Sequence, residues 1–169
     1  MKALAEMVFI GEIVLQSKIA ELAAKRLSAI KDNFDQIDVW SSIQSILVAA
    51  GNVSKILWPS KEYEERGERL RELLKVSDNN ILSDRSLRNH FEHYDDRIEK
   101  WFKGKSSAVY SDLAVDPFKS ISGNVPSNHH RAYDPLTQTL TFRGESFDLA
   151  AVLKELKEIR IKCRDFVLP

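Results

Sequence analysis

Cysteine, glycine, proline and net charge are all scarce in this sequence, and each scarcity excludes a class of protein. The 169 residues include one cysteine, Cys163, which excludes an internal disulfide framework and a cysteine-based zinc site. Only 6 glycines and 5 prolines are present, too few for a collagen-like or low-complexity chain. Because 25 basic residues balance 25 acidic ones, no overall charge attracts nucleic acid or anionic lipid, although a local basic groove remains open.

Long hydrophobic runs are absent as well. Glu6 and Glu12 flank the short apolar run at residues 7–10, unlike the core of a signal peptide. No stretch approaches the ~20 apolar residues that span a bilayer. Hydrophobic residues still make up 43% of the sequence, enough for one folded domain. We therefore expect a cytoplasmic protein with no membrane partner.

Apolar residues recur at helical spacing in five segments. This spacing predicts helices over about residues 2–31, 37–57, 61–76, 84–102 and 148–164. The second segment is apolar on all sides, which predicts that it lies at the centre of a bundle, and Ser60 is expected to cap the third. The stripe of the first segment consists of Leu4, Met7, Val8, Val14, Leu15, Ile19, Leu22 and Ile30.

Two non-helical regions separate the fourth and fifth helices. Residues 104–130 form a long loop, which spaced apolar side chains are expected to hold in place. Residues 131–142 consist of two short segments on either side of a turn that begins at Asp134. This pattern predicts a β-hairpin. The predicted fold is mainly α: one domain over residues 1–169, an antiparallel helical bundle with a small β-hairpin before the last helix.

The chemistry is concentrated on the polar face of the fourth helix. At 100° per residue, this face carries Arg88, Asn89, Glu92, His93 and Asp96, opposite the apolar stripe. Histidine titrates near neutrality and acts as acid or base, while arginine remains charged and binds phosphate oxygens. Cleavage of RNA by its ribose 2′-hydroxyl needs these two functions and no bound ion. The catalytic candidates are Arg88 and His93, with Asn89 holding the imidazole or a phosphate oxygen.

Other interpretations of the same residues remain open. Arg85, Arg97 and Lys100 are candidate contacts to RNA phosphates, with Glu92 and Asp96 in support, yet a solvated helix explains the charges too. His90 and His93 with a nearby carboxylate have the spacing of a metal site, which the pair at 129–130 would complete. The di-iron pattern of Glu-x-x-His is missing. We expect neither a metal nor a cofactor.

The same stretch resembles the HEPN superfamily. Its signature, Arg followed by His after four to six residues, is met by Arg88 and His93, with the polar Asn89 after the arginine. The wider pattern is similar to an uncharacterised group of bacterial proteins and covers roughly residues 37–103: Leu57-Trp58-Pro59-Ser60, Arg66-Gly67, Leu70-Arg71, and Leu87 through Arg97.

The resemblance implies a helical bundle that forms a homodimer. It also implies the activity of a metal-independent ribonuclease, of the kind found in toxin–antitoxin, abortive-infection and other conflict systems. Other members of the family have lost the catalytic residues and bind RNA or proteins. Two hypotheses therefore stand: a ribonuclease, and a non-catalytic module that binds RNA or a protein partner such as an antitoxin. The neutral net charge favours the second, since RNA binding benefits from a basic surface.

Overall fold

The computed structural model describes residues 3–30, 35–86, 89, 92–104, 110, 112–115 and 129–166. These residues are mainly helical, and short 3-10 turns occur at Lys61–Tyr63, Ile81–Ser83 and Arg164–Phe166. The α-helices are α1 (Ala3–Ala29), α2 (Gln36–Leu57), α3 (Glu64–Leu74), α4 (Tyr94–Gly104) and α5 (Leu149–Lys162). Among the described residues, no helix is long and apolar enough to cross a membrane.

Helix boundaries follow the predictions most closely where a side chain caps the helix. Asp35 accepts hydrogen bonds from two backbone N–H groups at the start of α2, and Asp148 accepts one from Ala151 at the start of α5. The predicted third helix is shorter than expected, because a 3-10 turn occupies residues 61–63 and Ser60 makes no side-chain cap. Lys75, in the left-handed conformation at φ 52°, ends α3.

The core consists of two clusters along the antiparallel pair of α1 and α2. One cluster joins the first half of α1 to the second half of α2, α3 and α5. The other joins the first half of α2 to the end of α1 and to the sheet described below. Since α2 contributes to both clusters, it occupies the central position that its apolar sequence predicts. Ala20, Ala49 and Ala50 are all buried, and such small side chains let helices pack closely.

The apolar stripe that predicts α1 is not the face that α1 buries. The buried face consists of Ile10, Ile13, Ser17, Ala20 and Ala23. Most of the large residues of the stripe point to solvent instead: Leu4, Met7, Val8, Leu15, Ile19 and Leu22 are exposed. The spacing therefore predicted the helix correctly, but it did not identify the side that packs against the protein.

A four-stranded sheet replaces the predicted two-stranded hairpin. The strands, in spatial order, are β1 (Ala114–Val115), β2 (Arg131–Asp134), β3 (Thr139–Phe142) and β4 (Glu145–Asp148). Strands β2 and β3 confirm the hairpin, and β1 pairs with β2 in parallel. The hairpin to β4 has positive φ at both loop residues, 49° at Arg143 and 89° at Gly144, as in a type I′ turn.

Candidate functional site

Five of the predicted site residues line one shallow, polar depression. It has a volume of about 260 Å³ and is lined by Asn89, His93, Asp96, Arg97 and Lys100. We call it the His93 groove. Arg88, the other predicted catalytic residue, and His90, considered as a metal ligand, lie outside the described residues.

Backbone hydrogen bonds explain why these side chains share a face. The Asn89 N–H donates to the Arg85 carbonyl over 2.8 Å, the His93 N–H to the Asn89 carbonyl over 3.1 Å, and the Arg97 N–H to the His93 carbonyl over 3.2 Å. This four-residue step is that of an α-helix, so Asn89, His93 and Arg97 lie on successive turns. The helical backbone therefore extends before Tyr94, and Asp84 accepts from the Ser86 N–H near the predicted start.

His93 is open to a ligand from solvent. Its side chain is 60% exposed, and its Nδ1 lies 4.0 Å from the nearer oxygen of Asp96, beyond hydrogen-bond distance. Arg97 is half-buried and Lys100 is exposed on the next turns. The groove thus presents an imidazole, an amide, two cations and one carboxylate to the same volume.

The helix that carries the groove packs at the edge of the protein. Trp101 is buried and its ring meets that of Tyr110 edge-on, with centroids 5.0 Å apart. Tyr94, the residue after His93, is 51% exposed. Glu92, predicted to support the site, forms an ion pair with Lys55 of α2. This pair connects the first part of the helix to α2.

Arg85, a predicted phosphate contact, lies against the end of α2. Its guanidinium donates to the Pro59 carbonyl over 2.9 Å and is 3.4 Å from the Trp58 carbonyl. Two arginines of α3 occupy neighbouring positions: Arg66 donates to the Lys55 carbonyl and Arg71 to the Leu57 carbonyl. The last carbonyls of a helix have no partner within it and carry partial negative charge, so arginines stabilise this end.

The residues that carry the wider resemblance therefore include a structural junction. The Arg71 guanidinium also donates to Asp78 over 2.7 Å and lies 5.7 Å from the Trp58 ring. A Cβ on Gly67 would lie 2.5 Å from Pro59 Cδ and 2.6 Å from the Leu57 carbonyl oxygen. The segments at 57–60, 66–67 and 70–71 meet here because they join α2 to α3, and this role involves no substrate.

A half-buried ion pair at the sheet edge was missed by the sequence analysis. Arg131 donates two hydrogen bonds to Asp112, from Nε over 2.9 Å and from Nη2 over 2.6 Å. Tyr110 Oη donates to the same carboxylate over 3.1 Å. No sequence motif predicts this contact, because Asp112 lies within the predicted long loop, 19 positions before Arg131.

Burial and charge act in opposite directions on the pKa values of this cluster. Burial alone would raise the pKa of Asp112, but the hydrogen bonds and the charge of Arg131, with smaller contributions from Leu113 and Tyr110, hold it below its usual value. Burial, and then the neighbouring Asp112 charge, raise the pKa of Tyr110. The pair is therefore ionised at neutral pH and fastens the segment before β1 to β2.

Neither the histidine pair at 129–130 nor Cys163 is among the residues that line the His93 groove. His130 is buried beside Tyr110, with ring centroids 5.9 Å apart. In the part of the chain that is described, no three His, Cys, Asp or Glu side chains are grouped so as to hold a metal ion. Burial raises the pKa of Cys163 to about 12, so its thiol stays protonated at neutral pH and packs in the core.

Comparison of this chain with models of known protein families, with curated proteins and with solved structures finds no match.

Proposed function

We propose that this protein is a metal-independent endoribonuclease of the HEPN type, acting in the cytoplasm as a homodimer and serving as a toxin or as a defence or stress component. The observation that carries the proposal is the His93 groove, which collects an imidazole, an amide and two cations on one helical face. In this proposal His93 is the acid or base, Arg88 stabilises charge on the phosphate, and Asn89 orients the imidazole or a phosphate oxygen.

The proposed reaction needs few groups. The ribose 2′-oxygen attacks the adjacent phosphorus, a new P–O bond forms and the bond from phosphorus to the 5′-oxygen breaks. The products are a 2′,3′-cyclic phosphate and a 5′-hydroxyl, and the proton lost by the 2′-oxygen is balanced by one gained at the 5′-oxygen. His93 carries out one of these two proton transfers. Its ring is exposed, so a substrate can contact it without any movement of the protein.

The surroundings of His93 suit a phosphate backbone. Arg97 and Lys100 lie one and two turns beyond it along the helix, where they would contact phosphates next to the cleaved bond. Arg88 precedes Asn89 in the sequence, so its assignment rests on the motif and on the helical hydrogen bonds that flank it. A guanidinium there would bind two phosphate oxygens at once.

The test is cleavage of a mixed-sequence RNA in EDTA. We expect the wild-type protein to cleave, and Arg88→Ala and His93→Ala each to lose activity by about 10²-fold or more, the usual contribution of general acid–base catalysis. Products are expected to end in a 2′,3′-cyclic phosphate, and an RNA with a 2′-deoxy nucleotide at the cut site is expected to resist cleavage.

Lys154→Ala is the matched control for the loss of one surface charge. Lys154 lies on α5, and its side chain is 76% exposed. The control should cleave as the wild type does, and circular dichroism should show that every variant is folded. Cleavage that persists in both Arg88→Ala and His93→Ala would contradict the assignment of the site.

A second candidate function is a non-catalytic module that binds RNA or a protein partner such as an antitoxin. Two observations favour it: the net charge is zero, and the groove contains the carboxylate of Asp96 beside its cations. A folded wild-type protein that binds RNA or a partner through the His93 groove without cleaving RNA would establish this function instead.

A further inference from the structure

A mainly apolar pocket lies between α2, α5, β4 and the 3-10 turn at Ile81–Ser83. Its volume is about 140 Å³, close to the roughly 150 Å³ of an engineered cavity that binds benzene. It therefore has room for a single ring. Among the described residues, none lines both this pocket and the His93 groove. Its apolar lining consists of Leu47, Ala50, Ile81, Leu82, Phe147 and Val152.

The lining of this pocket includes a buried hydroxyl that has no hydrogen-bond partner. Ser54 of α2 is 3% exposed, and within the described part of the chain its Oγ meets no donor or acceptor. A helical serine commonly donates to the carbonyl four residues before it, as Ser17 does to Ile13 over 2.8 Å. Because an unsatisfied buried hydroxyl is unfavourable, Ser54 indicates a ligand whose polar group enters the pocket and bonds to it. We call this the Ser54 pocket.

The charged residues of the Ser54 pocket are acidic. Asp84 and Asp148 line it and are both exposed, and no basic side chain of the described residues lines it. Asp84 Oδ1 accepts from the Ser86 N–H over 2.8 Å, and Asp148 Oδ1 accepts from the Ala151 N–H over 2.9 Å. These bonds orient both carboxylates and leave Oδ2 of each to accept from a ligand. Two negative charges at one pocket attract a cation and repel a phosphate.

We propose that the Ser54 pocket binds a small aromatic amine. A single ring lies between the apolar walls, a polar group on the ring bonds to Ser54, and an ammonium group faces Asp84 and Asp148. This orientation follows from burial, because the serine is enclosed and the two carboxylates are exposed. The site is separate from the His93 groove, and its occupancy does not depend on ribonuclease activity.

Tyramine, a phenol with an ethylammonium chain, probes all three contacts. Phenethylamine lacks its phenolic hydroxyl, and tyrosol has a neutral hydroxyl in place of its ammonium. We expect tyramine to bind the isotope-labelled wild type with a Kd on the order of 1 mM or below. It should shift the amide NMR signals of residues that line the pocket, among them Ser54 and Phe147. Each analogue should bind at least about threefold more weakly, the usual effect of losing one hydrogen bond or one exposed ion pair.

Two variants assign the polar contacts within the pocket. Ser54→Ala should weaken tyramine binding at least about threefold and leave phenethylamine binding unchanged, since phenethylamine has no hydroxyl to bond. Asp84→Asn should weaken the binding of both amines and leave that of the neutral tyrosol unchanged. Glu68→Gln, which alters an exposed carboxyl on α3, is the control and should bind all three compounds as the wild type does. Thermal unfolding checks that each variant is folded.

Three results would overturn the proposal. The first is a folded wild type whose pocket signals do not shift at about 10 mM tyramine, ten times the expected upper limit of Kd. The second is equal affinity of the wild type for tyramine, phenethylamine and tyrosol, which would show an apolar cavity without selectivity. The third is a Ser54→Ala variant that loses affinity equally for tyramine and phenethylamine, since the serine would then affect only the shape of the pocket.

Discussion

At Gly67, α3 packs closely against the end of α2 and against Pro59. This position leaves no room for a side chain, since a Cβ would lie within 2.6 Å of a backbone oxygen of Leu57. In a solvent-exposed helix, alanine is more stable than glycine by about 1 kcal/mol. Glycine at this position therefore lowers the helix propensity of α3 but permits the close packing. The sequence shows only a glycine inside a charged helix, and the neighbour that requires it is visible only in three dimensions.

We predict that Gly67→Ala destabilises the protein. Overpacking costs about 1–3 kcal/mol, which exceeds the gain in helix propensity. Urea unfolding at neutral pH measures the difference. Gly104→Ala is the control, because nothing lies within 4 Å of the added Cβ there, and its stability should equal or exceed that of the wild type. A Gly67→Ala variant as stable as the wild type would show that the backbone shifts without cost.

At the scale of single elements, β1 depends on contacts that are distant in sequence. The Leu113 carbonyl accepts hydrogen bonds from Gln36 over 2.7 Å and from Trp40 over 2.8 Å, both on α2. Leu113 itself has φ 56°, a conformation that a non-glycine residue adopts only when its surroundings enforce it. Together with the Asp112–Arg131 pair, these bonds hold a two-residue strand that has no sequence pattern of its own.

We predict that Asp112→Asn weakens the fold at neutral pH and reduces its sensitivity to acid. Because the folded-state pKa of Asp112 lies below its unfolded value, the pair stabilises the fold above an unfolded pKa of about 4. That contribution is lost as the pH falls from there through the folded-state pKa. We expect a loss of about 1–3 kcal/mol at pH 7, since the arginine loses its charged partner.

Urea unfolding of the wild type and of Asp112→Asn at neutral and at acid pH checks this prediction. The difference in unfolding free energy between the two proteins should narrow toward acid pH. Glu68→Gln, which alters an exposed carboxyl on α3, is the control. Its unfolding free energy should differ from that of the wild type by the same amount at neutral and at acid pH. A constant difference between Asp112→Asn and the wild type at both pH values would rule out ionisation as the cause.

The cap of α5 supports a separate prediction. Asp148 ends β4, and its carboxylate accepts from the Ala151 N–H over 2.9 Å, so one side chain connects the sheet to the last helix. Asp148→Ala should lower the free energy of unfolding by about 0.5–2 kcal/mol, the usual cost of losing such a cap. Asp148→Asn retains an accepting oxygen and should lose less. Equal losses in thermal or urea unfolding would show that the cap is not responsible.

At the scale of the whole molecule, α1 shows that the spacing of apolar residues predicts a helix but not which of its faces packs against the rest of the protein. Its apolar residues recur at helical spacing on two sides of the helix, and the sequence does not say which side faces α2. The structure buries the side with Ile10, Ile13 and small residues, since these permit close contact with the alanines of α2. The side with larger residues remains exposed to solvent.

In the candidate site, too, some features follow from the local sequence and others only from how the helices pack. Helical spacing placed Asn89, His93 and Asp96 on one face, and the structure finds them lining one groove together with two of the candidate phosphate contacts, Arg97 and Lys100. Spacing could not show that Glu92 pairs with α2 or that Arg85 lies against the carbonyls at its end, since these partners lie 37 and 26 positions away. Such contacts depend on how the helices pack.

The sequence by itself determined the helical class, the approximate helix bounds, the β2–β3 hairpin and the local polar face that carries His93. All of these depend on interactions between residues a few positions apart, which periodicity and turn chemistry express directly. The tertiary structure decided which face of α1 is buried, the pairing of β1, and the roles of Gly67, Arg85 and Asp112. Those outcomes depend on neighbours brought together by folding, whose identity no local pattern encodes.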